Sequence, residues 1–258
     1  MLHRAFSVFL FSPDGARLVM QQRAASKITF ASIWANTCCS HPLADAPGEA
    51  EERGAAGVIA AARRKLQQEL GVPPADVPAS AFTWVTRVHY AGASAPAQGA
   101  PAHGAPAQSA GAGAGATAAD SAAATSSAAA LWGEHEIDWI LLCVPPAAAR
   151  LAPNANEVAA VREFSQAEMR AWMATGGGAD ATSPWFRVME RSGLLYRWWD
   201  AVLARALGGV DERGVIHRQH DLEALAAGAA AGSVPPPRAL AAARDATTGE
   251  HAVPPVAA

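Results

Sequence analysis

The stretch 92–130 does most to limit what this chain can fold into. Nearly every residue in it is Ala, Gly, Ser, Pro, Gln or Thr, around an imperfect repeat of Ala-Pro-Ala-Gln and Ala-Pro-Ala-His. Such a composition cannot bury enough apolar area to offset the entropy lost on ordering. It is expected to be a disordered insertion in one loop, not a second domain, and His103 within it is expected to be solvated. Lengthening a loop from ~8 to ~40 residues costs only about 1.4 kcal/mol of closure entropy, so one domain can carry it. Residues 221–258 return to Ala/Pro/Gly-rich sequence and are expected to form a disordered tail. Residues 1–220 then make one domain. Although 51% of the chain is apolar, much of that is alanine, which buries little. The core must draw on Leu, Ile, Val, Phe and the eight Trp, and so many indoles suggest an aromatic-lined cavity.

Periodicity supplies the elements. Residues 2–11 alternate, with Phe6, Val8 and Leu10 on one face and Ala5, Ser7 and Phe9 on the other, joined by His3. Pro13-Asp14-Gly15 is a turn and residues 17–22 are a returning strand, so 2–22 is expected to be a hairpin. Residues 44–56 read as a loop. From about Gly54 to Leu70 the spacing predicts a helix with Val58, Ala61, Ala62, Leu66 and Leu70 on one face, capped by Gly71. Strands are expected over 82–90, 136–144 and, more weakly, 157–164. Ser165 with Glu168 forms a capping box for a short helix. Ser183-Pro184 opens a helix expected to run to about Leu207. The order is that of an α/β domain with a mixed sheet between helices.

Bulk properties exclude several roles. The net charge is −3 with no long charged run, which argues against nucleic acid or an anionic membrane surface as the main partner. Three cysteines, two of them adjacent, make a poor disulfide framework and fit a reducing compartment. No apolar run approaches the ~18–20 residues needed to span a bilayer. The expectation is a soluble intracellular monomer, cytoplasmic or alternatively plastidic.

The chemistry-bearing residues fall in three runs. Asn36-Thr37-Cys38-Cys39-Ser40-His41-Pro42-Leu43 puts two thiols and an imidazole close together in a polar segment. Free cysteines are usually buried packing residues, but a thiolate here could be tuned by imidazole or metal. In Trp132-Gly133-Glu134-His135-Glu136-Ile137-Asp138 the three carboxylates alternate along a strand and share a face. They are either a solvated face or a divalent-cation site with His41 and His3 as co-ligands. Glu69 lies in the last turn of the predicted helix, where the helix dipole disfavours a carboxylate unless a cation is near. Arg23 and Lys27 are either surface charges or an anion clamp.

Together these motifs, with Leu2–Leu10, Ser183-Pro184-Trp185-Phe186 and Trp198-Trp199-Asp200, resemble type I isopentenyl-diphosphate Δ-isomerase over about residues 2–91 and 131–220. The resemblance implies a Nudix-type α/β/α sandwich and interconversion of isopentenyl and dimethylallyl diphosphates in isoprenoid biosynthesis. It places Cys39 and Glu136 as the acid/base pair, with Tyr90 and Trp185 beside the hydrocarbon. It makes His3, His41, Glu134 and Glu136 ligands of a divalent ion (Mg²⁺, Mn²⁺ or Zn²⁺). Glu69 and the backbone carbonyl of Cys39 would hold a second, diphosphate-bound Mg²⁺. Arg23, Lys27, Ser40 and Lys65 fall at substrate-binding positions, and Cys38 is left to packing.

Two alternatives stand beside it. A Nudix hydrolase would carry Arg-Glu-x-x-Glu-Glu-x-Gly where this chain has Arg64-Lys65-Leu66-Gln67-Gln68-Glu69-Leu70-Gly71, so two of three carboxylates are replaced. The isomerase family also carries a further histidine ligand upstream of the position of His3, which this chain lacks. That implies a truncated homologue of low activity, unless a group such as His217 or His220 substitutes. Ala31-Ser32 stands where the family often has Pro-Gly.

Overall fold

The computed structural model describes residues 1–94 except residue 52, and residues 132–230 except 176, 177 and 179. Of the insertion expected at 92–130, residues 92–94 are strand and not loop, continuing the strand that starts at Phe82; the rest of it and most of the expected tail lie outside the described residues. Two sheets carry the fold. A mixed five-stranded sheet has β1 (His3–Leu10) between β4 (Cys38–Ser40) and β6 (Trp132–Cys143), followed by β5 (Phe82–Ser94) and β8 (Ile216–Arg218). A three-stranded sheet orders β3 (Trp34–Asn36), β2 (Arg17–Arg23) and β7 (Val158–Ser165).

β1 is buried on both faces, and its period-2 alternation divides the core. Phe6, Val8 and Leu10 pack with Val58, Ala61, Ala62, Leu66 and Leu70 of α1 (Ala56–Leu70). Phe9 and Phe11 join the second core, built with α2 (Gln166–Ala174), α3 (Pro184–Arg191) and α4 (Leu194–Leu203). All five residues expected on the apolar stripe of α1 are buried. Gly71 ends α1 in the left-handed conformation (φ 64°), its N–H donating to Gln67 O and that of Val72 to Leu66 O. A β-carbon there would also meet Ala152 O at 2.4 Å. The Ser165–Glu168 capping box opens α2 as expected.

Three expectations need correction. Residues 2–22 are not a hairpin: β1 and β2 lie in different sheets and meet at one bridge, Phe11 to Leu18. The edges of β1 are already taken, by β6 on one side and by β4 and Thr37 on the other. Thr37 Oγ1 accepts from Leu10 N–H (2.8 Å) and donates to Val19 O (2.5 Å), so it bridges the sheets where the chain crosses from β3 to β4. The single helix expected from Ser183 to Leu207 is two, broken at Ser192-Gly193, where Gly193 takes φ 79°. The tail expected from residue 221 begins instead as helix α5 (Gln219–Ala230). Leu222 is fully buried and Leu225 packs against the same core, so two leucines suffice to dock an alanine-rich helix.

Candidate active site

Strand pairing assembles a His/Glu cluster. β1 and β6 run parallel with His3 opposite Glu136, and β4 lies antiparallel on the other edge of β1, delivering His41 just past its end. Glu134 and Glu136 share a face because they are two residues apart on one strand. His41 Nε2 is 2.7 Å from Glu136 Oε1, His3 Nε2 is 3.1 Å from His41 Nε2, and His3 Nε2 lies 3.4 Å from Glu136 and 3.8 Å from Glu134. One donor atom from each of the four lies within 4.8 Å of the others. The hydrogen bond that His41 donates to Glu136 raises its pKa above the ordinary imidazole value, burial opposing it. Two imidazoles with two carboxylates are the donor set of a divalent-ion site. His217 and His220 do not join it: His217 pairs with Glu212 (2.7 Å) and His220 with Asp221 (3.0 Å).

The cluster opens into a cavity of about 420 Å³, lined also by Cys39, Ser40, Arg23, Lys27, Lys65 and Trp185. Cys39 Sγ donates to Asn36 Oδ1 (2.9 Å) and lies 3.5 Å from Ser7 Oγ. Burial, with the Asp138 charge second, pushes the pKa of this thiol up to about 12. Ser7 Oγ donates to Asp138 Oδ2 (2.7 Å), while Asp138 Oδ1 has no hydrogen-bond partner. Burial and the neighbouring Glu136 charge hold the Asp138 carboxyl well above the usual carboxylate range. Cys38 is fully buried in the α1 core, in line with a packing role.

Aromatic side chains pack around Trp185, which lines the cavity. Trp185, in the first turn of α3, packs edge-on to Phe30 (5.1 Å between centroids) and to Tyr90 (5.8 Å). Its Nε1–H donates to Asn36 Oδ1 at 2.9 Å. Tyr90 lies opposite Glu136 across the β5–β6 pair, and its buried hydroxyl has no hydrogen-bond partner. Burial raises its pKa.

The basic side chains are already engaged. Lys65 Nζ lies 3.0 Å from Glu69 Oε1, and Gln21 Nε2 donates to Glu69 Oε2 at 3.0 Å. This Lys65 ammonium is the cation that offsets the unfavourable helix-end position of Glu69. Lys27 pairs with Glu157 at 2.5 Å. The Arg23 guanidinium donates to the carbonyls of Phe30 (3.0 Å) and Thr29 (2.9 Å), shaping the loop that carries Lys27. In that loop Ser32 takes φ 62°, a conformation in which glycine is relaxed.

Sequence reasoning missed what holds the ligand loop. Within the stretch read as plain loop, Glu49 is 3% exposed and accepts from Arg64 Nε (2.5 Å), Arg64 Nη2 (2.9 Å) and Leu43 N–H (2.8 Å). Arg64 Nη2 also donates to His41 O (3.3 Å), and Arg4 to Glu49 O (3.1 Å). No local pattern signals this pair. Asn36 was signalled only by adjoining the Thr-Cys-Cys run.

A mixed sheet between helices, with Glu69 at the end of α1 lining the same cavity as His41, Glu134 and Glu136, is an arrangement of Nudix type, and residues 1–110 match the model of the NUDIX domain. The chain is 40% identical over 205 residues to the isopentenyl-diphosphate delta-isomerase of Phaffia rhodozyma, covering 80% of this chain and 66% of that protein. It is 36% identical over 201 residues to isopentenyl-diphosphate Delta-isomerase 1 of Bos taurus, covering 78% and 71%. A relative from Cannabis sativa, 35% identical over 221 residues and named chloroplastic, is covered over 63% of its length, against 84% of this chain. The chain belongs to the isopentenyl-diphosphate Δ-isomerase family and spans about two thirds of the length of these relatives. No helix among the described residues is long and apolar enough to cross a membrane.

Proposed function

We propose that this chain interconverts isopentenyl and dimethylallyl diphosphates, with Cys39 and Glu136 as its proton-transfer pair. The observation that carries the reading is that the Cys39 thiol and the Glu136 carboxylate, on two different strands, line one cavity with Trp185, whose ring packs edge-on to that of Tyr90. Moving the double bond requires a proton added at the terminal alkene carbon and another removed two carbons away. Between these events the carbon skeleton is a tertiary carbocation, which water would trap. A pair of acid/base groups in a water-poor pocket meets both needs. One of Cys39 and Glu136 gives the first proton and the other takes the second, so the substrate's atoms balance. The face of Trp185 stabilises the cation, with Tyr90 beside it.

The polar side of the cavity suits the diphosphate. Arg23, Lys27, Ser40 and Lys65 bind it by charge and hydrogen bonds. A divalent ion (Mg²⁺, Mn²⁺ or Zn²⁺) on His3, His41, Glu134 and Glu136, and a Mg²⁺ on Glu69 and the Cys39 carbonyl, would neutralise carboxylate and diphosphate charge when bound. The test is conversion of isopentenyl diphosphate with Mg²⁺ by wild type, Cys39→Ala and Glu136→Gln. Wild type is expected to convert it, and both variants to lose at least a thousandfold while keeping the wild-type circular dichroism. Wild type that instead releases phosphate from a nucleoside diphosphate overturns the proposal in favour of hydrolysis.

A further inference from the structure

Cys39 and Trp185 reach the cavity from distant parts of the chain, one from β4 and one from the first turn of α3. Both donate to the same atom. Asn36 Oδ1 accepts Cys39 Sγ–H and the Trp185 indole N–H, each at 2.9 Å. Its two acceptor directions are thus filled by the groups that would flank the reacting carbons. The other end of the amide is fixed too, because Nδ2 donates to Val8 O (3.0 Å) and Cys38 O (3.2 Å). Those carbonyls settle which way the amide faces, since a flipped amide would set its oxygen against two carbonyl oxygens. Asn36 is 0% exposed, so no water competes for these bonds. It also ends β3, one residue before Thr37 joins the two sheets, so its backbone is held in both directions.

We infer that Asn36 is a positioning residue of the isomerase reaction, a single amide that sets the Cys39 thiol and the Trp185 ring in fixed relation. This rests on the isomerase reading of the site. The geometry asks for this device. A thiol rotates freely about its Cα–Cβ bond, and an indole can tilt within its pocket. The stabilisation of a carbocation by a ring depends on the face being presented, and proton transfer at carbon depends on the angle of approach. An acceptor shared by both groups removes both freedoms at once. Nothing places Asn36 against the diphosphate, whose proposed partners Arg23, Lys27, Ser40 and Lys65 lie on β2, the loop after it, β4 and α1. It should therefore act on turnover and not on substrate capture.

The experiment is a double-variant cycle on the full chain with Mg²⁺, using Asn36→Leu, Trp185→Phe and the pair. Phe keeps an aromatic face and removes the N–H together with part of the ring. Asn36→Leu is expected to lower kcat at least 100-fold with KM within threefold of wild type. Trp185→Phe is expected to lower kcat about tenfold or more. The double variant is expected to lie within threefold of Asn36→Leu alone, because both changes break the same shared bond. If Asn36→Leu does not fold, Asn36→Ser, which withdraws the acceptor while leaving room, takes its place with the same expected split. Near-ultraviolet circular dichroism and the melting temperature set the folded fraction used to correct kcat. A corrected kcat near wild type, a loss carried in KM, or fully multiplicative effects in the cycle would overturn the inference. Wild type unable to isomerise would overturn the underlying isomerase reading instead, a separate outcome.

Discussion

Replacing Glu49 with alanine should destabilise the fold and loosen the His/Glu cluster together. Glu49 is buried, and its carboxylate takes two bonds from Arg64 and one from Leu43 N–H. Breaking a buried ion pair from one side usually costs about 3–5 kcal/mol, because the surviving charge is left without a partner. Here the Arg64 side chain is 25% exposed and keeps Gln68 Oε1 and His41 O as acceptors. The lower end applies, about 3 kcal/mol, or roughly a 6–12 °C fall in melting temperature for a domain of this size. The pH dependence is fixed in sign. The Arg64 hydrogen bond lowers the Glu49 pKa below its ordinary value. A depressed carboxylate contributes stability that is present above its unfolded pKa and lost as pH falls through the folded value. The gap between wild type and Glu49→Ala in urea unfolding should be full at pH 7 and shrink below about pH 4.5. Because the same pair tethers the His41 carbonyl and the Leu43 amide, divalent-ion affinity by calorimetric titration should fall about tenfold. A gap under 1 kcal/mol at pH 7, or one that is equally large at pH 3, would refute this account.

Other outcomes follow from the same geometry. Leu222→Ala should cost about 2–5 kcal/mol in urea unfolding, since Leu222 is fully buried beneath α5; a cost under 0.5 kcal/mol would mean the helix is not docked. Ser32→Gly should stabilise the chain by roughly 0.5–1 kcal/mol, by relieving a left-handed serine, as judged by melting temperature. Ser94 lies opposite Trp132 at the end of an antiparallel pair. Replacing residues 95–131 by a short Asn-Gly turn should therefore leave isomerisation rates within about threefold, and an inactive product would assign the segment a role.

Legibility from sequence tracked how local the signal was. The α1 face, its glycine cap and the Ser165 capping box are written within a few residues, and each stands where periodicity placed it. The alternation of Glu134 and Glu136 named one face of a strand, which is why the cluster could be foreseen in outline. The failures are non-local. Two strands joined by a tight turn usually pair, and nothing near Pro13 says that β6 and Thr37 will already occupy the edges of β1. The break at Ser192-Gly193 leaves Trp185 and Trp198, on either side of it, in one core. Residues after 221 look like a tail because alanine dominates the composition, yet alanine is also the strongest helix former. Arg64 reads as one more charge on a helix surface, and its partner lies 15 residues upstream in a loop with no periodicity.

The parallel pairing of β1 with β6 sets a timetable. His3 meets Glu136 across a register that spans more than half the chain. His3 leaves the ribosome well before Glu136, its partner in the cluster. At ~5–20 residues per second, the second residue of that pair follows the first by roughly 7–27 s. Until then β1, apolar on both faces, can gain β4 but not β6. The His/Glu centre is thus a product of complete sheet assembly, and an ion held there would report that the central strand has found both neighbours.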